Sequence, residues 1–260
     1  MDEETTPVLT RPAPHVALIE LNRPAAANRI QPEDLQTLDE HLSECEGDAE
    51  VHCLVVTGRG THFSAGYDLR ALSAIASTGA RSSQPEADSA FERFSNRLES
   101  TRLIVVAAIN GPVVGGSTDI ALACDLRLGT EETYMFMPAA RIGLPLYASA
   151  LQRYVTRLGL NQAKRLVFLA QKIDAAEMLK IGFLNEVTSR DGLMQRALAV
   201  AAEVAAMPAE PLAAMKQALN ASALGNGTAT EQRDSLLAAF DGPRTARLIA
   251  AAQSGRRSKS

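Results

Sequence analysis

The chain has 260 residues, 46% of them hydrophobic and 22% charged, with 4% aromatic, no Trp and a formal net charge of −4. This is the composition of a soluble globular protein with one large core, or a core with a helical appendage. The acidic balance and the scarcity of aromatics exclude a basic surface for polyanions and a stacking platform for bases, so no nucleic acid is expected as partner. Cys45, Cys53 and Cys124 lie far apart and suggest no disulfide framework. The four histidines lack metal-ligand spacing, so no metal is expected. The opening MDEETTPVLTRP has no apolar stretch of the signal-peptide kind, and no run approaches the roughly 18 apolar residues of a membrane span. A cytoplasmic protein without membrane contact is the expectation.

In chain order, His15–Leu21 reads as a strand closed by Asn22-Arg23-Pro24. Leu35, Leu38 and Leu42 then recur at helical spacing behind Pro32, a residue tolerated in a first helical turn. Val51–Val56 reads as a buried strand, so strand, helix and strand imply parallel pairing through a right-handed crossover. A short helix is expected through Leu69 and Leu72. Residues 77–90 lose periodicity and read as a mobile excursion. Phe91–Glu99 resumes a helix, Leu103–Ile109 is a third strand, and a helix follows Gly115-Gly116. Shorter strands are expected at Leu126–Leu128 and Tyr134–Phe136. Beyond residue 149 the pattern is helical: Ala150–Leu158, Gln162–Ala170, Ala175–Lys180, Leu193–Ala206, Pro211–Ala223 and Thr230–Phe240. The basic tail Arg256, Arg257, Lys259 reads as a frayed end.

Chemistry is expected where a strand end meets glycine and then a helix. Phe63–Leu69 is one such place; Asn110–Gly116, continuing through Ser117-Thr118-Asp119, is another. Amides at a helix start lack intrahelical partners, and small residues let a ligand oxygen approach them. Two such starts converging would hold a carbonyl oxygen as it gains charge. From the residues alone, a pair of structural turns is the simpler reading.

The wording is more specific. LNRP (Leu21–Pro24), LVVTGRG (Leu54–Gly60), FSAGYDL (Phe63–Leu69), AINGPVVGGSTDIALACDLRL (Ala108–Leu128), RIGL (Arg141–Leu144), LQRYVTRLGLNQAKRL (Leu151–Leu166) and GFLNEV (Gly182–Val187) occur in this order. The chain thereby resembles the enoyl-CoA hydratase/isomerase, or crotonase, family over about residues 13–190. The resemblance implies an α/β fold, a crotonase-like spiral of ββα units over residues 1–195. It also implies a helical C-terminal region, 196–260, used to form a homotrimer or a dimer of trimers. The substrate would be an acyl-CoA thioester, with no cofactor beyond the coenzyme A it carries. Main-chain amides at Ala65 and Gly116 would form the oxyanion hole. Ala25, Ala27, Arg29, Ala65, Gly66, Asp68 and Gly116 would border the coenzyme.

The catalytic carboxylates depart from the family pattern. The first glutamate position is Asp119, shorter by one C–C bond of roughly 1.5 Å. The second, in a Pro-Glu pair, is Ala139 after Pro138, which can neither bind a proton nor orient water. The resemblance thus points to a hydratase-like enzyme with Asp119 as principal acid/base. It leaves open another family reaction (hydrolysis, isomerisation, decarboxylation) or a non-catalytic acyl-CoA-binding role. Tyr67 and Tyr147 are candidate substitutes for the lost acid, with Tyr134, Arg141 and His62 behind them. Asp68 is expected to cap a helix. Asn110 and Asp125 are expected to hold backbone groups, and Cys124 to be a small buried residue.

Overall fold

A computed structural model describes residues 6–71, 86–225 and 229–257. The chain divides into two compact units, residues 1–207 and 208–260. The first is built on a six-stranded sheet and a three-stranded sheet. Its strands are β1 (Val8–Ala13), β2 (Val16–Leu21), β3 (Cys53–Gly58), β4 (Ile104–Ile109), β5 (Val113–Val114), β6 (Leu126–Thr130), β7 (Tyr134–Phe136), β8 (Ile173–Asp174) and β9 (Glu186–Thr188). The large sheet runs β1-β2-β3-β4-β6-β9, and the small one β5-β7-β8. All neighbours in the large sheet are parallel except the β1–β2 hairpin.

The helices are α1 (Pro32–Gly47), α2 (Glu86–Ser100), α3 (Ser117–Ala123), α4 (Ala148–Leu158), α5 (Leu160–Leu169), α6 (Ala175–Lys180) and α7 (Leu193–Ala205). A strand in the large sheet, a strand in the small sheet and a helix follow one another as β4-β5-α3 and as β6-β7-α4. This is the expected spiral of ββα turns.

The central strands β2, β3 and β4 are mostly apolar because both faces of the sheet are covered. Side chains alternate across a strand. Ala17, Ile19, Leu54, Val56, Val105 and Ala107 therefore face the core that contains Leu35, Leu38 and Leu42 of α1 and Phe94 and Leu98 of α2. Val16, Leu18, Cys53, Val55, Val106 and Ala108 face the other way, onto Leu193, Ala197, Ala201 and Ala205 of α7. Those alanines, four residues apart, form a flat stripe that lets α7 lie close to β3 and β4. This packing makes α7 part of the sheet unit. It moves the boundary from the expected residue 195 to the stretch after Met207.

β1 is not anticipated by its polar, proline-containing sequence. It is an edge strand, where Pro12 is tolerated, and its register is irregular between Thr10 and Ala13. α2 begins at Glu86, so the last five residues of the expected 77–90 excursion are helical. The rest of that excursion, and Leu72, lie outside the described residues. The second unit contains α8 (Ala209–Leu224), α9 (Ala229–Ala238) and α10 (Gly242–Arg257). α9 packs on α8, and α8 ends at Gly225 with φ +66°. α10 extends through Arg256 and Arg257, in place of the frayed end expected there. Among the described residues no single helix is long and apolar enough to cross a membrane. No group of three or more His, Cys, Asp or Glu is placed to hold a metal ion there either.

Candidate active site

The two glycine turns meet. Ser64 and Val113 form a parallel bridge, the Val114 N–H donates to Ser64 O at 2.9 Å, and the Phe63 and Ser64 amides donate to Pro112 O. Two buried serines reinforce the junction. Ser117 Oγ lies 2.9 Å from Ser64 O and accepts from the Val114 N–H at 2.9 Å, while Ser64 Oγ donates to Asn28 O at 2.7 Å. Gly66, at φ +82°, closes the approach. A Cβ there would stand 2.5 Å from Val114 O and 3.0 Å from the Gly116 nitrogen. Only glycine permits that conformation together with that contact.

The main-chain donors differ from the expected pair on one side. The Gly116 N–H has no acceptor among the described residues, and Gly116 stands at the start of α3. The Ala65 N–H donates to Ala27 O at 2.8 Å. Ala65 thus spends its amide on holding the 25–29 segment and supplies only wall to the cavity. Ala27 and Asn28 both have φ near +52°, and Asn28 is fixed by Arg59 O and His62 O through its side-chain amide.

Asp119 is the second correction. It is 1% exposed and does not line the cavity. Its Oδ1 accepts from Arg153 Nε at 2.8 Å, and its Oδ2 accepts from the second arm of the same guanidinium at 2.8 Å. Oδ2 also accepts the Tyr147 hydroxyl. Both oxygens of this buried carboxylate are thus engaged by charge-assisted or short hydrogen bonds. Arg153, itself 0% exposed, also donates to Asn96 at 2.8 Å and pairs with Glu99 at 3.1 Å. Arg157 reaches the same Glu99 at 2.8 Å. Tyr154 hydrogen-bonds Thr118, and burial pushes its hydroxyl pKa well above the ordinary value.

Tyr147 reaches the cavity that Asp119 does not. It precedes α4, lines the cavity wall and carries Asp119 behind it. Burial, and then the Asp119 charge, push its pKa far above that of an ordinary phenol, so the hydroxyl keeps its proton. Tyr67 also lines the cavity and packs edge-on against Phe91, with ring centroids 5.8 Å apart.

The cavity has a volume of about 360 Å³. Its wall includes Ala65, Leu69, Gly116, Met137, Ala139 and Leu144, and none of the described lining side chains is a carboxylate, imidazole or ammonium group. Ala139 contributes apolar surface to this wall. Arg141, Tyr134 and His62 are not part of the wall. Arg141 donates to Ala170 O at 2.9 Å, Tyr134 lies under Lys172, and His62 contacts Thr61.

Asp68 accepts the Arg70 amide at 2.6 Å and pairs with Arg29 at 2.9 Å. The Arg70 amide bond and the Arg29 charge hold the Asp68 carboxyl below its usual range despite the opposing effect of burial. Asn110 and Asp125 hold backbone groups as expected: Asn110 bridges Gly58 and Gly60, and Asp125 accepts the Val105 amide. Cys124 is buried. Sequence reasoning passed over Arg153. The available signal was an arginine beside Tyr154 and Val155 in the stretch LQRYV.

The enoyl-CoA hydratase/isomerase family profile matches residues 12–241. The chain is 32% identical over 206 residues to the short-chain-enoyl-CoA hydratase of Clostridium acetobutylicum, covering 79% of this chain and 77% of that protein. It is 30% identical over 232 residues to the 2,3-dehydroadipyl-CoA hydratase of Escherichia coli, covering 87% and 88%. An enoyl-CoA hydratase structure from Polaromonas sp. JS666 shares the fold with a TM-score of 0.87, covering 96% of this chain and 97% of that one at 23% identity.

Proposed function

We propose, from the premise that the chain belongs to the enoyl-CoA hydratase/isomerase family and is an acyl-CoA-acting enzyme of that family, that it decarboxylates a malonyl-type thioester. The observation that carries this reading is the sealing of Asp119 behind Tyr147 by Arg153. Adding water needs a base to take its proton. Asp119 is chelated, Ala139 is inert, and Tyr147 holds its proton. Decarboxylation needs no such base, because the substrate supplies the electron pair.

The bond from the α-carbon to the carboxylate breaks, CO₂ leaves, and the pair becomes a thioester enolate. A carboxylate in apolar surroundings is destabilised by lost hydration. In the transition state the charge moves to the thioester oxygen, where the Gly116 N–H meets it. That interaction favours the transition state over the ground state. The second donor is assigned to the amide of Tyr67, the cavity residue that follows Gly66, in place of Ala65. Tyr147 turns its hydroxyl from Asp119 to the α-carbon, delivers the proton there and regains one from solvent. Its high pKa suits this role, since an enolate carbon is a stronger base than a phenolate. The coenzyme is assigned to Ala25, Ala27, Arg29, Gly66 and Asp68, with Arg29 oriented toward phosphate by its Asp68 pair.

Malonyl-CoA and α-methylmalonyl-CoA, alongside a panel of enoyl-CoA thioesters, test this by chromatography of the products. Acetyl- or propionyl-CoA is expected, and Tyr147→Phe should slow its formation on the order of 10²-fold. Hydration of enoyl-CoA with no loss of CO₂ would replace the reading with the second one. That second reading is hydration by the Tyr147–Asp119 pair, favoured by the names of the two curated relatives. Assembly as a trimer or dimer of trimers is likewise proposed. It is supported by exposed Leu219, Leu237, Phe240 and Leu248 in the second unit, and light scattering measures it.

A further inference from the structure

We propose that Arg153 is a positioning residue, which fixes Asp119 from behind and thereby aims the Tyr147 hydroxyl and sets where its proton resides. The inference rests on the reading of Tyr147 as the proton donor of the cavity. Arg153 never meets the cavity wall. It acts through a chain of two contacts, guanidinium to carboxylate and carboxylate to phenol.

The geometry is that of a fork. Nε and one terminal nitrogen of Arg153 each stand 2.8 Å from a different oxygen of Asp119. A bidentate pair fixes the plane of the carboxylate, which a point-charge ammonium cannot do. The plane decides where the remaining lone pair of Oδ2 points, and the Tyr147 hydroxyl follows that lone pair. The other arm of the guanidinium is held by Asn96 at 2.8 Å and Glu99 at 3.1 Å. Arg153 is therefore fixed by α2 and passes that constraint to α3.

The charges around the pair come from three helices. α3 supplies Asp119. α2 supplies Glu99, and Glu92, which is 2.6 Å from Ser149 Oγ. α4 supplies Arg153, Arg157 and Tyr154, with Tyr147 just before its first turn. Glu99 is shared by both arginines, so Arg153 is the cation that balances Asp119 directly.

Loss of Arg153 has a definite consequence. A carboxylate buried without its cation takes up a proton at a higher pH than an exposed one. Once protonated, Asp119 would donate to the Tyr147 oxygen and stop accepting from it. The hydrogen bond between them would then reverse, because the two groups are coupled. In the native protein the guanidinium keeps the bond in one direction.

The test uses the full chain labelled with ¹³C at the tyrosine Cζ, whose resonance reports hydrogen bonding and ionisation. The chain has four tyrosines, and Tyr147→Phe assigns the signal of interest by its loss. The native Tyr147 resonance is expected to stay flat through the neutral range. Arg153→Met should add a titration step there, and decarboxylation kcat should fall on the order of 10-fold or more with KM little changed, as for outer-sphere partners of metal ligands. Arg153→Lys keeps the cation but loses the fork. Its Tyr147 resonance should be displaced from the native position without the titration step.

A flat, native Tyr147 resonance in Arg153→Met would overturn the proposal and leave Arg153 as packing alone. Where Arg153→Met does not fold, an Arg153→Lys resonance superimposable on the native one overturns it equally. Failure of the decarboxylase reading would show separately. The turnover assay would be silent while the resonance still responded to Arg153.

Discussion

Replacing Asp119 distinguishes, by stability, a carboxylate that anchors Arg153 and Tyr147 from one that meets substrate. Asp119→Leu removes the carboxylate from between two guanidinium nitrogens, each at 2.8 Å, and strands Arg153 at 0% exposure. Breaking a buried pair from one side costs about 3–5 kcal/mol. Glu99 and Asn96 still hold the other arm of Arg153, which favours the lower end, about 3 kcal/mol. At roughly 2–4 °C per kcal/mol for a unit of this size, Tm falls by about 6–12 °C. Arg153→Met alone uncovers Asp119 and costs a comparable amount. The double variant Asp119→Leu/Arg153→Met leaves neither charge exposed to an apolar neighbourhood, and replacing a whole buried pair is often neutral. Urea unfolding followed by circular dichroism gives all four stabilities. The expected coupling energy is at least about 2 kcal/mol, with the double variant more stable than either single one. Additive losses would refute the anchoring argument. So would Asp119→Leu with native stability and no activity, which would return Asp119 to direct acid/base work.

Gly116→Ala tests the oxyanion wall. The added Cβ would stand 2.8 Å from Cζ of Phe91, inside the contact distance of roughly 3.5–4.0 Å. The ring must move into the cavity, at a cost of about 1–3 kcal/mol, and acyl-CoA affinity measured by calorimetry should fall with the amide still present; unchanged affinity would argue against this placement of Phe91. On the alkaline side, Tyr147 and Tyr154 have raised pKa values, so each is protonated in the folded chain where the unfolded chain has already lost its proton. Their contribution is full below pH 10.0, the ordinary value, and is lost as pH rises above it. Tyr147→Phe should flatten that decline, and an identical slope would contradict it. On the acid side, the Arg165 hydrogen bond lowers the pKa of Glu177 and the Arg196 hydrogen bond lowers that of Glu186 from their usual 4.5. Stability from these pairs is present above pH 4.5 and is lost below it, so Arg196→Gln should shallow the acid limb of an unfolding-versus-pH curve.

The parts of the fold that were legible in the sequence are those where periodicity and burial coincide. β2, β3 and β4 are mostly apolar because helices cover both faces of the sheet, and α1 shows its leucines at helical spacing. β1 was not legible, since an edge strand needs no apolar alternation and tolerates Pro12. The α7 boundary was hidden for the opposite reason. Its alanine stripe has the same composition as the helices that follow, and only its contact with β3 and β4 assigns it to the sheet unit. Ala65 and Asp119 depart from their expected roles for one physical reason. A sequence gives the residue type at a position but not the partner that consumes its bonding capacity. Ala65 is small enough for an oxyanion donor, yet its amide is committed to Ala27 O. Asp119 is the right chemical type for an acid, yet Arg153, thirty-four positions away, chelates both of its oxygens. What decides the acid/base assignment is therefore on which side of Tyr147 the carboxylate lies. With Asp119 held outside the described cavity wall and Ala139 apolar within it, the proton-bearing group that joins Asp119 to the cavity is the Tyr147 phenol.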